Sequence, residues 1–118
     1  MTTQASASTR ILDEVRSWPG VEVGEGRRGE TSITLGGKEI GHLHGDRAAH
    51  FGFPRKVWEE LMVQGRVGPH PVAHAGWAAR RIEDDEDVRE VIALLRLNYD
   101  RAVRRAGTRR GGSPVPGA

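Results

Sequence analysis

Apolar residues recur along this chain with two different periods, and the changes of period mark out its elements. In SASTRILDEVRSWPG, Ile11, Leu12, Val15 and Trp18 form one helical stripe. A hydroxyl from Ser6 or Ser8 can accept from an unpaired amide of the first turn, and Pro19-Gly20 ends the helix. The period then falls to two. Strands are predicted at Val21–Val23, Thr31–Leu35, Lys38–His44 and Ala48–Phe53. Gly36-Gly37 joins the second and third as a type I′ hairpin turn, whose central residues both need positive φ. Helical spacing returns after Pro54, which suits the first position of a helix. Val57, Trp58, Leu61 and Met62 share one face there, and Gly65 supplies the C-terminal cap. RVGPHPVAHAG, broken by two prolines, reads as a loop and WAARRI as a strand. In the last helix Asp84 or Asp85 is the cap, acidic residues gather at the positive end, and Val88, Val91, Ile92, Leu95, Tyr99 and Ala102 form the stripe.

The element order is therefore α-β-β-β-β-α-β-α. Helices with one apolar face can cover one side of an antiparallel sheet. The fold class expected is α+β: a two-layer sandwich with an antiparallel sheet of four to five strands and helices on one face. Residues 7–106 make this single domain, between a disordered N-terminus (1–6) and a disordered Arg/Gly/Pro tail (107–118). The other face of the sheet is left open to solvent, a ligand or a partner.

Composition narrows the functional classes. A chain of 118 residues is one domain with a modest core. It has no cysteine, which excludes disulfides and thiolate metal sites. No apolar run approaches the ~20 residues of a membrane span, and the N-terminus lacks the pattern of a secretory leader. A cytoplasmic protein with no membrane contact is expected. Sixteen arginines against two lysines, with abundant Ala and Gly, read as a high-GC bacterial composition. The net charge is only +2, and Arg104, Arg105, Arg109 and Arg110 all lie near the C-terminus. The body of the domain is then slightly acidic, so nucleic acid is expected only through the tail.

All five histidines fall between positions 42 and 74. His42 and His44 share a strand face, because side chains alternate. Where His50 lies depends on the turn. A two-residue Gly45-Asp46 loop pairs His44 with Arg47 and puts His50 with Leu43. A three-residue Gly45-Asp46-Arg47 loop pairs His44 with Ala48 and His42 with His50, so that all three imidazoles share one face and Leu43, Ala49, Phe51 and Phe53 the other. The second register separates polar from apolar better, and is favoured. If GPHPVAHAGW folds over the same face, His70 or His74 joins the group. Such a group can act as a ligand-binding or acid–base surface. The structural alternative has each ring bonded to backbone or to Glu30, Glu39 or Asp46. His-x-His occurs with and without metal, His-Glu-x-x-His is absent, and no carboxylate has an obligatory ligand spacing. No metal ligands and no cofactor are therefore assigned, and a metal-dependent enzyme stands as an alternative.

Other motifs are weak. Gly36-Gly37 opens no phosphate loop, and no Gly-x-Ser-x-Gly elbow places a nucleophile. Arg80 and Arg81 can each hold an anion, but adjacent strand residues point oppositely, so at most one faces a given pocket.

The string KEIGHLH…AAHFGFP…GRVGPHPVAHAGWAARRIEDDEDVREVIALLRLNY resembles the luciferase-domain family, which includes the fungal luciferases and many short bacterial proteins. The matching positions are Glu39, His42, His44, His50, His70, Pro71, Gly76, Trp77, Arg80 or Arg81, and Tyr99, within roughly residues 36–100. The resemblance implies an α+β fold. For the fungal members it implies oxygenation of a polyphenolic pyrone by molecular oxygen with light emission, without an organic cofactor. That activity is not carried over, since the first strand region is poor in residues to line a large aromatic pocket. The expectation is a luciferase-domain-like protein that binds a small aromatic or anionic ligand through His42, His44, His50, His70, Trp77, Arg80 and Arg81, with turnover left open. The alternative from another class is a nucleic-acid or protein interaction module using the Arg-rich C-terminus.

Overall fold

The computed structural model describes residues 5–72 and 74–112, the side chains of 108–112 excepted. Its elements run α1 (Ala7–Arg16), β1 (Val21–Glu25), β2 (Thr31–Leu35), β3 (Lys38–His44), β4 (Ala48–Gly52), α2 (Arg55–Val63), β5 (Gly68–Pro69), β6 (Trp77–Arg81) and α3 (Asp85–Gly112). The strands form one antiparallel sheet in the order β1-β2-β3-β4-β6-β5. This is the expected α+β architecture with one strand added. β5 lies in the segment read as a loop. It is a two-residue edge strand against β6, and Pro69 fits there because an edge position need not donate to a further strand.

Capping follows the sequence closely. Ser6 Oγ accepts the Thr9 amide at 3.2 Å and starts α1. Asp84 accepts the Asp87 amide at 2.9 Å, while Asp87 accepts the Asp84 amide at 3.3 Å, a reciprocal box that starts α3. Pro54 sits one residue outside α2 with extended backbone and caps it without a side-chain bond, so it precedes the first helical position expected for it. Gly36 and Gly37 both have positive φ, 60° and 80°, and connect Leu35 to Lys38 as paired residues. α3 continues past Ala106 to Gly112, where the sequence suggested a tail; Arg109 and Arg110 are good helix formers, whereas each glycine costs about 1 kcal/mol relative to alanine. The rest of the expected tail, 113–118, and residues 1–4 lie outside the described residues.

One face of the sheet makes the core. Ile33, Leu43, Ala49, Phe51 and Ala78 are buried on it, beneath Ile11 and Val15 of α1, Leu61 of α2, and Val88, Val91, Leu94 and Leu95 of α3. Gly41 lies directly under α3: a Cβ there would stand 2.5 Å from Leu95 Cδ2, so the close approach of helix to sheet depends on its lack of a side chain. Tyr99 closes the far end of the core, donating its hydroxyl to the Pro19 carbonyl at 2.7 Å and packing on Trp18.

β3 is irregular. Ile33 pairs with Gly41 but Thr34 pairs with Glu39, which leaves Ile40 as an extra residue. Plain alternation would put Ile40 beside His42. The bulge instead lets Ile40 and Gly41 both be buried. Buried Asn98 of α3 secures it, donating to the Ile40 carbonyl at 3.1 Å and to the Gly52 carbonyl at 3.0 Å. The parity change also turns Glu39 to the other face, where it matters for the site.

Candidate functional site

The turn between β3 and β4 is the three-residue Gly45-Asp46-Arg47 loop, with His42 opposite His50, Leu43 opposite Ala49 and His44 opposite Ala48. His42, His44 and His50 therefore share the face away from the helices. Ring centroids lie 5.0 Å apart for His42 and His44, 5.2 Å for His42 and His50, and 4.3 Å for His44 and His50. One donor atom from each ring can be chosen so that all three lie within 4.8 Å of one another, a grouping with the dimensions of a metal-binding set.

The segment after β5 folds over this face, as its position in the chain allowed. His70 stacks edge-on to His50 at 4.3 Å and to Trp77 at 4.9 Å. Its Nδ1 accepts the Val72 N–H at 2.9 Å, so a neutral His70 carries its proton on Nε2. His74 lies 6.4 Å from Trp77. Pro71 and Val72 complete that wall. The result is a cleft of about 620 Å³ running from Trp77 across the three histidines to Arg28 and Glu30. Depressions elsewhere on the surface, one beside Asn98 and Arg101 of α3 and one around Gly68 and Arg80, have different linings and no histidine.

The polar partners divide in two. Glu39 accepts from His42 Nδ1 at 2.8 Å and from the Ser32 hydroxyl at 3.2 Å. The bond from His42 holds the Glu39 carboxyl below the usual carboxylate range. His42 is thus oriented by a carboxylate, as one sequence alternative had it. Asp46 is not such a partner; it accepts the Ser8 N–H at 2.8 Å, at the start of α1. Burial, and then the neighbouring His44, His70 and His42 rings, push the His50 pKa down from 6.5 to about 4. Burial likewise lowers that of His70. At neutral pH His50 is therefore an uncharged base with a lone pair.

Five of the seven residues expected to bind ligand, His42, His44, His50, His70 and Trp77, line this one cleft. Arg80 and Arg81 do not. Ala79 opposes His50 and Arg80 opposes Ala49, so alternation sends Arg80 to the helix side of the sheet. There it donates to Asp87 at 2.6 Å and to the Arg66 carbonyl at 2.9 Å. Arg81 is on the histidine side but at the far end of β6, 84% exposed and 3.8 Å from Glu83. The cation at the cleft is Arg28, which sequence reasoning passed over. Its signal was the hairpin register: pairing Ser32 with His42 carries the β1–β2 connection to the His44 end of β3.

A family model described as Luciferase domain matches residues 37–98, more than half of the chain, from the hairpin turn to Asn98 of α3. No curated protein and no solved structure matches the chain. The matched span holds every histidine of the cleft, together with Glu39 and Trp77; Arg28 and Glu30 precede it.

Proposed function

The chain belongs to the luciferase-domain family, and on that premise we propose that it binds a small planar aromatic anion in the histidine-lined cleft. The ring lies against Trp77 and Val72, the anionic group is directed to Arg28, and the imidazoles supply hydrogen bonds. His70 offers a donor at Nε2, and uncharged His50 offers an acceptor or a general base.

The observation that carries this reading is the exposure of apolar surface inside the cleft. Val72 is 60% and Trp77 46% exposed, and both face the same concavity. Fully burying a side chain of this kind contributes about 1.5–3 kcal/mol, and a flat guest would recover part of it. An apolar wall with a few convergent polar groups, in a volume of about 620 Å³, has the make-up of a small-molecule site. The Trp77 carbonyl is held by the Trp58 indole N–H at 3.0 Å, which fixes the wall before any ligand arrives.

Titration with 2-naphthoate, followed by tryptophan fluorescence and calorimetry, tests this. Saturable binding is expected below about 1 mM. Trp77→Ala and His42→Ala should each weaken it at least about tenfold, a loss of about 1.4 kcal/mol, with the melting temperature nearly unchanged. Arg28→Ala should weaken binding of naphthoate but not of the neutral 2-naphthalenemethanol. Absence of saturable binding by the wild type, or equal losses for both probes in Arg28→Ala, would refute the aromatic-anion assignment.

A further inference from the structure

We propose that His42, His44 and His50 form a three-histidine site for a first-row divalent transition ion of the zinc type, with a coordination position left open to the cleft. The inference does not need the aromatic ligand: it shares His42 and His50 with that reading but rests on the geometry of the three rings alone.

Geometry is the first support. Donor atoms of the three rings lie within 4.8 Å of one another. Nitrogens bound tetrahedrally at about 2.1 Å stand about 3.4 Å apart, so side-chain rotation alone can close the set. The backbone already fixes the arrangement: His42 and His50 are directly opposed across two strands, and His44 is the next residue of β3 on that face. Three ligands gathered from one side leave the opposite side of the ion free, as in catalytic zinc sites.

The second support is Glu39. By donating Nδ1–H to this carboxylate at 2.8 Å, His42 keeps its lone pair on Nε2. A carboxylate on the remote nitrogen is the usual device that fixes the tautomer and the ring plane of a metal-bound imidazole. Glu39 reaches this position only because the bulge at Ile40 reverses the parity of β3. Ser32 fixes the carboxylate in turn at 3.2 Å.

The third support is the different arrangement of His70. Its Nδ1 is committed to the Val72 amide, so Nε2 carries hydrogen and cannot coordinate in that tautomer. Its ring stands 4.3 Å from that of His50, beside the ligand set and not part of it. The donor set is therefore three neutral nitrogens without carboxylate. That suits Zn²⁺, Co²⁺, Ni²⁺ or Cu²⁺, and disfavours Mg²⁺ and Ca²⁺, which take oxygen.

The test uses the full chain, prepared without a polyhistidine tag and stripped with chelator. It is titrated with Co²⁺ alone by visible absorption, then with Zn²⁺ by calorimetry, without organic ligand. One equivalent of Co²⁺ is expected, with ligand-field bands of a nitrogen-ligated ion, and no heat with Mg²⁺. Glu39→Gln should lower affinity by about 10–100-fold, the usual effect of losing an orienting carboxylate, and His50→Ala by more. His70→Ala and His74→Ala should keep wild-type stoichiometry and bands. Failure of the wild type to bind one equivalent of Co²⁺ would overturn the proposal without recourse to any variant. So would full binding by folded His50→Ala, or loss of binding in His70→Ala or His74→Ala. Naphthoate binding by stripped protein separates the two assignments: either can fail while the other stands.

Discussion

The two faces of this sheet are built from the same strands and have opposite characters. Along β4, Ala49 and Phe51 are buried against the helices while His50, between them, turns to the cleft. Along β3, Leu43 is buried between His42 and His44. Helices pack on one face; on the other, the segment after β5 and the β1–β2 connection border the cleft. The helix face holds the apolar area whose removal from water drives folding. The cleft face holds imidazole rings, and partial burial, then the neighbouring rings, depress the His50 pKa there. Stability and chemistry are therefore separated by a single step along the chain, and neighbouring substitutions can tell them apart.

The largest contrast is expected at Phe51 and His50. Phe51 is 1% exposed and stacks on Phe53 with centroids 5.4 Å apart. Phe51→Ala should cost about 3–5 kcal/mol in urea unfolding. His50→Ala, one residue away, should change stability by less than about 1 kcal/mol, because it removes a half-buried ring bonded to no side chain among the described residues. Similar losses for both would mean that the histidine face is a second core, and the separation would fail.

Much of this contrast was legible in the sequence. The three-residue turn followed from segregation of polar and apolar positions, since a one-residue slip would have put His50 on the face of Leu43 and Phe51 on the face of the other histidines. The helix stripes were legible for the same reason. What alternation could not show was its own interruption. The bulge at Ile40 is met by Asn98, far along the chain, whose amide donates to the Ile40 carbonyl. Periodicity contains no record of such a contact, so the side occupied by Glu39 was not readable. Arg28 was missed for a related reason: a loop residue joins a site through the register of its hairpin, not through its own spacing. Arg80 was assigned to a ligand although strand parity relative to His50 would have placed it on the helix side; the pairing of β4 with β6 was the missing fact.

The bulge offers an intermediate effect that couples the faces. Asn98→Ala leaves the Ile40 and Gly52 carbonyls without their amide partner in a buried place, which should cost about 1–3 kcal/mol. If Asn98 also holds the parity of β3, the Glu39–His42 bond should loosen. The imidazole nitrogen shifts of His42, read by NMR in the folded variant, should then move toward those of Glu39→Gln. A stability loss with unchanged His42 shifts would show that the bulge is maintained by the hairpin alone.

The smallest effects separate two adjacent arginines on β6. Arg80, on the helix side, holds Asp87 with both side chains largely covered, 20% and 15% exposed. Burial raises the Asp87 pKa, but the Glu83 amide, Arg80 and the Asp84 amide outweigh it and keep the carboxyl below its ordinary 3.8. A carboxylate lowered in this way contributes stability that is present above the unfolded pKa and is lost as pH falls through the folded value. Arg80→Ala should therefore cost about 1–3 kcal/mol at neutral pH, and the deficit should narrow on acidification below pH 3.8 as Asp87 is protonated. Arg81, 84% exposed, should tolerate Ala within about 0.5 kcal/mol at every pH. Neither substitution should alter naphthoate or Co²⁺ binding, because neither side chain lines the cleft. A loss of either ligand in Arg81→Ala would extend the functional surface along β6 beyond Trp77 and redraw the boundary of the site.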